Sequence, residues 1–374
     1  MYEGDESGRG GAYKRGHESD TEHSLPSKSS HIAPLDTNPR NYCDFTLSYT
    51  PPSELGYYSL DGEGLYRGDD QSLRYLRPPP GMDDGEVSVY WNVMDGYKDP
   101  NVSYINHEQV GLHNMLTWMK DNKDLLQGSS NERPVDYDFV TRRGILAKIL
   151  CTPYEKQADW LLTVTLFKGT LYIDERETDG ARKWREQCGE EEKRLIYSGF
   201  KFENYIISGS PDGDPRPEDV VNTNEAFYSV LKGQLDSHSF LVSGEVDCKD
   251  PQSSEAPPAC YVELKTTGNT QSIHSNKLLK WWSQSVLCGI PLIVAGQRNQ
   301  DGIVKSVTKF ETSEIPEMVE VILGLSPQRS IMVWWRTYRG HRGHCVMGPL
   351  SWRNLGSPLT TLGYLPFFLA FTFF

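Results

Sequence analysis

The sequence predicts an α/β fold, because it contains both strand-like and helix-like segments. Short apolar runs bounded by loop residues, FLV at 240–242 and CYV at 260–262, indicate strands. Segments 145–150 and 277–285 have the residue spacing of helices. Helices packed on sheets are the layered architecture expected of such a mixture.

Composition limits the class of protein. The chain has 374 residues, 37% of them hydrophobic, and nine tryptophans, enough for one large domain or two of ordinary size. A net charge of −13 argues against bulk nonspecific nucleic-acid binding but not against a site with a local basic rim. Seven cysteines without a CxxC pair fit free thiols in a reducing compartment. With no signal-peptide pattern and no apolar run of roughly 20 residues, we expect neither secretion nor a membrane partner.

The elements along the chain follow from local patterns. Residues 1–40 are rich in Gly, Ser, Glu and His and poor in aliphatic side chains, so we expect disorder there and a folded region from residue 41. Further predicted elements are helices at 107–126, 182–196 and 224–235, a strand at 200–207, and a strand pair at 161–173 that turns at Lys168 and Gly169.

Acidic residues follow both apolar runs near the middle of the chain. Glu245 and Asp247 lie two apart, as do Glu263 and Lys265, so each pair shares one face of an extended strand. The loop 250–258 predicts that the two runs pair as neighbouring antiparallel strands. Three carboxylates and one ammonium would then share a sheet face, where carboxylate repulsion favours a hard divalent ion such as Mg²⁺ or Mn²⁺.

Taken alone, either acidic pair has an alternative to a metal site: its residues would form the solvent-exposed face of an ordinary strand. The order Asp247, then Glu263-x-Lys265, favours a site instead, because Asp…Glu-x-Lys is typical of the PD-(D/E)xK nuclease core. Glu203, predicted to share a strand face with Lys201, is a candidate fourth carboxylate, or belongs to the wet side of a half-buried strand.

Two further segments carry groups that suit phosphate. Arg142, Arg143 and Gly144 open the predicted helix that begins at Ile145, where guanidinium and free N–H groups can bind phosphate oxygens; ordinary surface arginines are the alternative. In segment 277–285 a shared helix face combines Lys277, Lys280, Trp281 and Gln284. Such a face suits the binding of a nucleotide 5′ end. The alternative is that both tryptophans are core residues and both lysines are solvated. We expect Trp282 to be a core residue in either case.

With these residues in view, the chain resembles the DXO family of RNA decapping and 5′-end-processing enzymes, its animal members most closely. The resemblance covers roughly residues 53–319, so we expect a catalytic domain at 41–319 and a tail at 320–374 that is atypical of the family. The matching segments are RG at 143–144, TPYE at 152–155, GFKFE at 199–203, NTNEAF at 222–227, SGEVDC at 243–248, YVELKT at 261–266 and KLLKWWSQS at 277–285.

The resemblance implies two mixed, twisted β-sheets flanked by helices around a PD-(D/E)xK core, with the metal site between the sheets. It also implies residue roles. Metal ligands would be Glu203, Asp247, Glu263 and the backbone carbonyl of Leu264, with Glu245 acting through the metal site. Lys265 and Gln284 would bind the scissile phosphate and the attacking water. RNA would contact Arg143, its neighbours Arg142 and Gly144, and Tyr228.

The implied activity is metal-dependent hydrolysis at single-stranded RNA 5′ ends, with two Mg²⁺ or Mn²⁺ ions. It would remove incomplete or NAD caps or hydrolyse a 5′ triphosphate, with or without 5′–3′ degradation, in mRNA quality control. The resemblance also implies a nuclear location, with or without a cytoplasmic pool, and a 5′–3′ exoribonuclease as a candidate partner. Two alternatives stay open: a PD-(D/E)xK DNA endonuclease, and a non-enzymatic protein that binds RNA or an exoribonuclease.

Overall fold

The computed structural model describes residues 48–82, 85–103, 111–130, 133–155, 159–268, 273, 275–323 and 345–347. Segment 1–40 and most of the tail 320–374 lie outside the described residues, so the expectations for them stay predictions. In the ranges given, no helix combines the length and the apolar character that crossing a membrane requires.

Strands and helices alternate along the chain. The strands are β1 Tyr49–Leu60, β2 Tyr66–Arg67, β3 Tyr75–Leu76, β4 Val87–Asn92, β5 Gln127–Ser130, β6 Arg133–Val135, β7 Phe139–Arg142, β8 Leu161–Phe167, β9 Thr170–Arg176, β10 Ile207–Ser208, β11 Ala226–Leu235, β12 His238–Val246, β13 Cys248–Lys249, β14 Tyr261–Thr267, β15 Leu292–Arg298, β16 Ile303–Glu311 and β17 Cys345–Met347. The helices are α1 His113–Asp121, α2 Arg143–Cys151, α3 Asp179–Gln187, α4 Glu190–Asn204, α5 Ser275–Cys288 and α6 Ile315–Leu323.

Two mixed sheets organise the described residues. The larger has eight strands in the order β17-β8-β9-β7-β12-β11-β1-β2, and the smaller has seven in the order β10-β3-β13-β14-β15-β16-β4. In the larger sheet β12 pairs antiparallel with β11 and parallel with β7. In the smaller, β14 pairs antiparallel with β13 and parallel with β15. The predicted α/β fold with two mixed sheets and flanking helices is confirmed.

The core follows from the alternation of side chains along the strands. One face of β12 places Val242 in a cluster with helices α2 and α5 and with Ile293 of the smaller sheet. The other face places Leu241 in a cluster with Trp118 of α1. The outer face of the smaller sheet packs on α4 through Phe202. Helices α2 and α5 therefore lie in the layer between the two sheets, beside the strand ends that carry the acidic residues.

Several predicted elements are confirmed. Helices α2 and α5 occupy the segments 145–150 and 277–285 with a few residues added. The strand pair β8–β9 turns at Lys168 (φ 48°) and Gly169 (φ 81°), the positive φ values that a two-residue hairpin turn requires. Helix α1 is shorter than the predicted 107–126, whose residues 107–110 lie outside the described ranges. The predicted helix 182–196 is instead divided between α3 and α4.

Three predictions are wrong. Residues 224–235 are not a helix, because β11 is a central strand that pairs with β1 and β12 on its two sides. Segment 200–207 is not a strand over most of its length, because α4 continues to Asn204. The two apolar runs do not pair as a hairpin, because the chain leaves the larger sheet after β12 and enters the smaller one at β13.

Candidate active site

The buried floor of the site is Glu263 on β14, whose side chain is 1% exposed. Its Oε1 accepts a hydrogen bond from Lys265 Nζ, two residues along the same strand face. Arg143 Nη1 lies 3.4 Å from the same oxygen. The other oxygen, Oε2, is buried and has no hydrogen-bond partner within the described ranges. Leaving a buried carboxylate oxygen without a bond is costly, so this oxygen is a candidate ligand for a cation.

Glu245 and Asp247 reach the site from the larger sheet. Glu245 is near the exposed end of β12, and Asp247 follows that strand where the chain crosses to the smaller sheet. Asp247 Oδ2 accepts a 2.6 Å hydrogen bond from the backbone N–H of Leu264, the residue after Glu263. Glu245 and Asp247, two residues apart, do reach the same site. They do so where the chain passes from the larger sheet to the smaller one, and not in a hairpin.

Glu203 reaches the site from a helix, which corrects its predicted place on a strand. It lies in the last turn of α4, and α4 packs against β14. A Cβ at Gly296 of β15 would lie 2.5 Å from the Phe202 ring, so only glycine lets α4 pack this closely. Lys201 does not share a face with Glu203: its buried Nζ donates a 2.9 Å hydrogen bond to the backbone oxygen of Asp219.

The carboxylates carry more negative charge than the nearby cations compensate. Burial raises the pKa of Glu203 well above its ordinary value, and repulsion from Asp247 and Glu245 raises it further. Burial, then repulsion from Glu263, raises the pKa of Asp247 to about 7. Burial alone would raise the pKa of Glu263 as well, but Lys265 and Arg143 outweigh it and lower that pKa. Nearby cations therefore compensate the charge of Glu263, but not the charges of Glu203 and Asp247.

A divalent metal ion fits this shortage of positive charge and the donor set, since hard ions such as Mg²⁺ and Mn²⁺ prefer carboxylate oxygens. Glu263 Oε2 is a buried oxygen that none of the described residues bonds. Within the described ranges, no three or more acidic, histidine or cysteine side chains already surround a common point as ligands. The four carboxylates are nevertheless near enough to repel one another, because the pKa of Glu203 is raised by its burial and then by Asp247, Glu245 and Glu263.

The two predicted phosphate-binding arginines are separated by the structure. Arg143, the first residue of α2, points to Glu263, whereas Arg142 Nη2 pairs with Asp174 Oδ1 of β9 at 3.3 Å. Gly144 is exposed, and a Cβ placed there would have no atom within 4 Å, so the start of α2 is open to a ligand. Arg143 and the start of α2 therefore face the carboxylates, and Arg142 belongs to the neighbouring strand pair.

The predicted basic face of α5 is also divided. Lys277 Nζ donates a 2.8 Å hydrogen bond to the backbone oxygen of Thr266 and lies 5.4 Å from the centroid of the Trp281 ring. Lys280 instead pairs with Glu155 at 2.6 Å on the outer side. Gln284 is half-buried on the same helix. Trp281 and Trp282 are both buried in the core. The prediction that Trp282 is a core residue is confirmed, and for Trp281 the alternative of a core residue is the correct one.

Tyr228 lies on β11 beside the site, and two residues near the site were missed from the sequence. The Tyr228 ring stacks on Tyr58 of β1, with centroids 5.0 Å apart. The sequence signal for Tyr58 is the aromatic and apolar segment LGYYSL at 55–60, which forms the second half of β1. The second is Arg298, whose charge acts with burial to lower the pKa of Lys277 to about 8, burial being the larger cause. Its signal is the strand ending VAGQR at 294–298.

Comparison with known proteins identifies the family. The family described as RAI1 like PD-(D/E)XK nuclease matches residues 50–335. The Decapping and exoribonuclease protein of Xenopus laevis is 51% identical over 282 residues, which cover 72% of this chain and 70% of that protein. The human protein of the same name is 43% identical over 292 residues, covering 76% and 72%.

Solved structures agree with the fold. A crystal structure of Candida albicans Rai1 in complex with pU5-Mn²⁺ superposes with a TM-score of 0.70 at 24% identity, covering 91% of this chain and 93% of that one. Scheffersomyces stipitis Rai1, solved with (3′-NADP)⁺ and calcium ion, also has a TM-score of 0.70 at 23% identity, covering 85% and 90%. The family model and the Xenopus and human relatives confirm the resemblance seen in the sequence motifs. The chain belongs to the RAI1-like PD-(D/E)XK nuclease family.

Proposed function

We propose that this chain is a metal-dependent hydrolase of RNA 5′ ends. It removes incomplete or NAD caps, hydrolyses 5′-triphosphate ends, and degrades the exposed RNA from 5′ to 3′. The observation that carries the proposal is the buried Glu263: Lys265 and Arg143 bind one of its oxygens, and no described residue bonds the other. The names of the Xenopus and human relatives, Decapping and exoribonuclease protein, support the reaction.

The metal ligands in this proposal are Glu203, Glu245, Asp247, Glu263 and the backbone carbonyl of Leu264. They hold two Mg²⁺ or Mn²⁺ ions; the solved Candida Rai1 is described with Mn²⁺ and pU5, the same classes of ligand. Bound divalent ions supply charge stabilisation at the attacking and leaving oxygens of an in-line displacement at phosphorus. Glu245 is exposed and marks the solvent-facing entrance of the site, whereas Glu263 is buried at its base.

Lys265 holds the scissile phosphate and does not accept a proton. Burial favours its neutral amine, but the attraction of Glu263 and Asp247 raises the pKa of Lys265 above its ordinary value. It therefore stays an ammonium at neutral pH and donates hydrogen bonds to a phosphoryl oxygen. Gln284 orients the attacking water through its amide, which serves as donor and acceptor without changing charge.

Arg143 and the open start of α2 at Gly144 bind the following RNA phosphate. Arg142 contributes less, because its partner Asp174 on β9 is not one of the four carboxylates of the site. Tyr228, half-buried and stacked on the buried Tyr58, offers an aromatic surface to a base of a single strand. A single strand is the expected substrate, because the reacting phosphate has to reach a carboxylate that is 1% exposed.

The test compares wild type, Glu263→Ala and Glu255→Ala. Each is incubated with Mg²⁺ or Mn²⁺ and RNAs that carry a labelled triphosphate, unmethylated cap, dinucleotide cap or monophosphate. Glu255 is an exposed acid in the loop before β14 and serves as the matched control. Wild type and Glu255→Ala should release the 5′ group only with metal, and Glu263→Ala should release none while it remains folded. Release by Glu263→Ala at the wild-type rate would refute the assignment.

The same assay separates the alternatives. A DNA endonuclease would cut duplex DNA and leave 5′-triphosphate RNA intact. A non-enzymatic protein would bind RNA, or an exoribonuclease, without turnover. We include association with a 5′–3′ exoribonuclease and a nuclear location in the proposal because the family resemblance implies them. Co-purification of the tagged full-length chain from nuclear and cytoplasmic fractions tests both.

A further inference from the structure

Glu54 of the larger sheet is hydrogen-bonded to a residue of the smaller sheet that lies close to Glu263. Glu54 of β1 accepts two hydrogen bonds at the same oxygen, Oε2. One comes from Ser229 Oγ of β11, the neighbouring strand of its own sheet, at 2.6 Å. The other comes from the hydroxyl of Tyr261 of β14, in the other sheet, at 2.8 Å. The second bond joins residues 207 apart in the sequence and crosses between the sheets.

Tyr261 is well placed to transmit this contact to the site. It lies two residues before Glu263 on β14, so both side chains point to the same face of the strand. Tyr261 is 2% exposed, and its ring meets Phe227 of β11 edge-on, with centroids 6.1 Å apart. The hydroxyl and the ring therefore hold the start of β14 against the larger sheet at two points.

The opposite wall of the site belongs to that same part of the larger sheet. Phe227 pairs with Val246, and the next residue, Tyr228, pairs with Glu245, in the register of β11 with β12. The contact of Tyr261 with β11 is thus beside the strand end that presents Glu245. The separation of Glu245 and Glu263, which come from different sheets, depends on how the sheets are held together here.

We propose that Glu54 and Tyr261 are positioning residues for the metal site. Their hydrogen bond sets the separation of Glu263 from Glu245, so that carboxylates of both sheets can serve one metal site. This inference rests on the function proposed above. Groups that orient metal ligands from outside the ligand set typically change metal affinity by 10- to 100-fold when lost, and Tyr261, acting through the strand backbone, should lie near the low end, about tenfold.

Tyr261→Phe and Ser229→Ala form a matched pair for the test. Each removes one hydroxyl that bonds to the same oxygen of Glu54, but only Tyr261 belongs to the other sheet. Mn²⁺ binding to each full-length protein, without RNA, is measured by electron paramagnetic resonance of the free ion. Hydrolysis of 5′-triphosphate RNA is then measured at limiting and saturating Mn²⁺. Glu54→Gln, which keeps an oxygen acceptor, is the conservative variant.

We expect Tyr261→Phe to weaken Mn²⁺ binding about tenfold, with kcat restored at saturating Mn²⁺ and KM for RNA unchanged. Ser229→Ala should bind Mn²⁺ as wild type does, and Glu54→Gln should stay closer to wild type than Tyr261→Phe. Equal affinities for Tyr261→Phe and wild type, or an equal loss in Ser229→Ala, would overturn the positioning role alone. A folded wild type that binds no Mn²⁺ would refute the metal site and, with it, the proposed function. Should Tyr261→Phe fail to fold, Glu54→Ala against Ser229→Ala decides the same question.

Discussion

The metal-free protein should lose stability as the pH rises, and Asp247→Asn should remove much of that loss. The folded pKa of Asp247 is raised from its ordinary 3.8 to about 7, because of burial and then repulsion from Glu263. Between these values the folded state binds more protons than the unfolded state, so the free energy of unfolding falls with increasing pH. The stabilising contribution is complete below pH 3.8 and is lost as the pH passes through about 7.

The size of the effect follows from the shift. A difference of about three pH units at about 1.4 kcal/mol per unit sets an upper limit of about 4 kcal/mol. Asp247 is only half-buried and therefore partly screened by water, so we expect about 2 kcal/mol. Glu203, whose pKa is also raised by burial, changes stability in the same direction. Glu263 has a lowered pKa, so its ionisation changes the free energy of unfolding only below its ordinary pKa of 4.5. It therefore does not oppose the loss of stability expected between pH 5 and pH 8.

The assay is urea unfolding between pH 5 and pH 8 in chelator, for wild type, Asp247→Asn and the exposed control Asp212→Asn. Wild type and Asp212→Asn should lose stability over this range, and Asp247→Asn should lose clearly less. Adding Mn²⁺ at pH 8 should restore wild type, because the ion favours the ionised carboxylates. A wild-type stability that rises with pH, or that has the same slope as Asp247→Asn, would refute the charge argument.

The remaining predictions concern Lys265, for which we propose a role in holding the scissile phosphate, and the packing of α4. Lys265→Ala should lower kcat about 10²- to 10³-fold, as the loss of a preorganised donor does, while Mn²⁺ still binds; complete loss of Mn²⁺ binding by titration would show that the role is wrong. Gly296→Ala should cost about 1–3 kcal/mol in urea unfolding, because its Cβ would meet the Phe202 ring at 2.5 Å. It should also weaken Mn²⁺ binding by moving Glu203, and unchanged stability together with unchanged Mn²⁺ affinity would contradict that packing argument.

The sequence by itself determined which residues can make this site. Carboxylates two apart after apolar runs, a lysine two after a glutamate, and the lysine- and tryptophan-rich helix are local patterns that depend only on residues close in the chain. The α/β class, helices α2 and α5 and the β8–β9 turn could be predicted for the same reason. The family motifs added the roles, because they select positions that spacing alone leaves ambiguous.

Only the tertiary structure decided how those residues meet. The sequence predicts a helix at 224–235, but residues 226–235 form a strand because β1 and β12 both pair with them. Glu203 is on a helix because α4 packs on Gly296 through Phe202, a contact between residues distant in sequence. Arg142 and Arg143 are adjacent in the chain yet bind Asp174 and Glu263, since one ends a strand and the next begins a helix. Local patterns do not record contacts of this range, so the separation of the two metal-site walls belongs to the packing of the sheets.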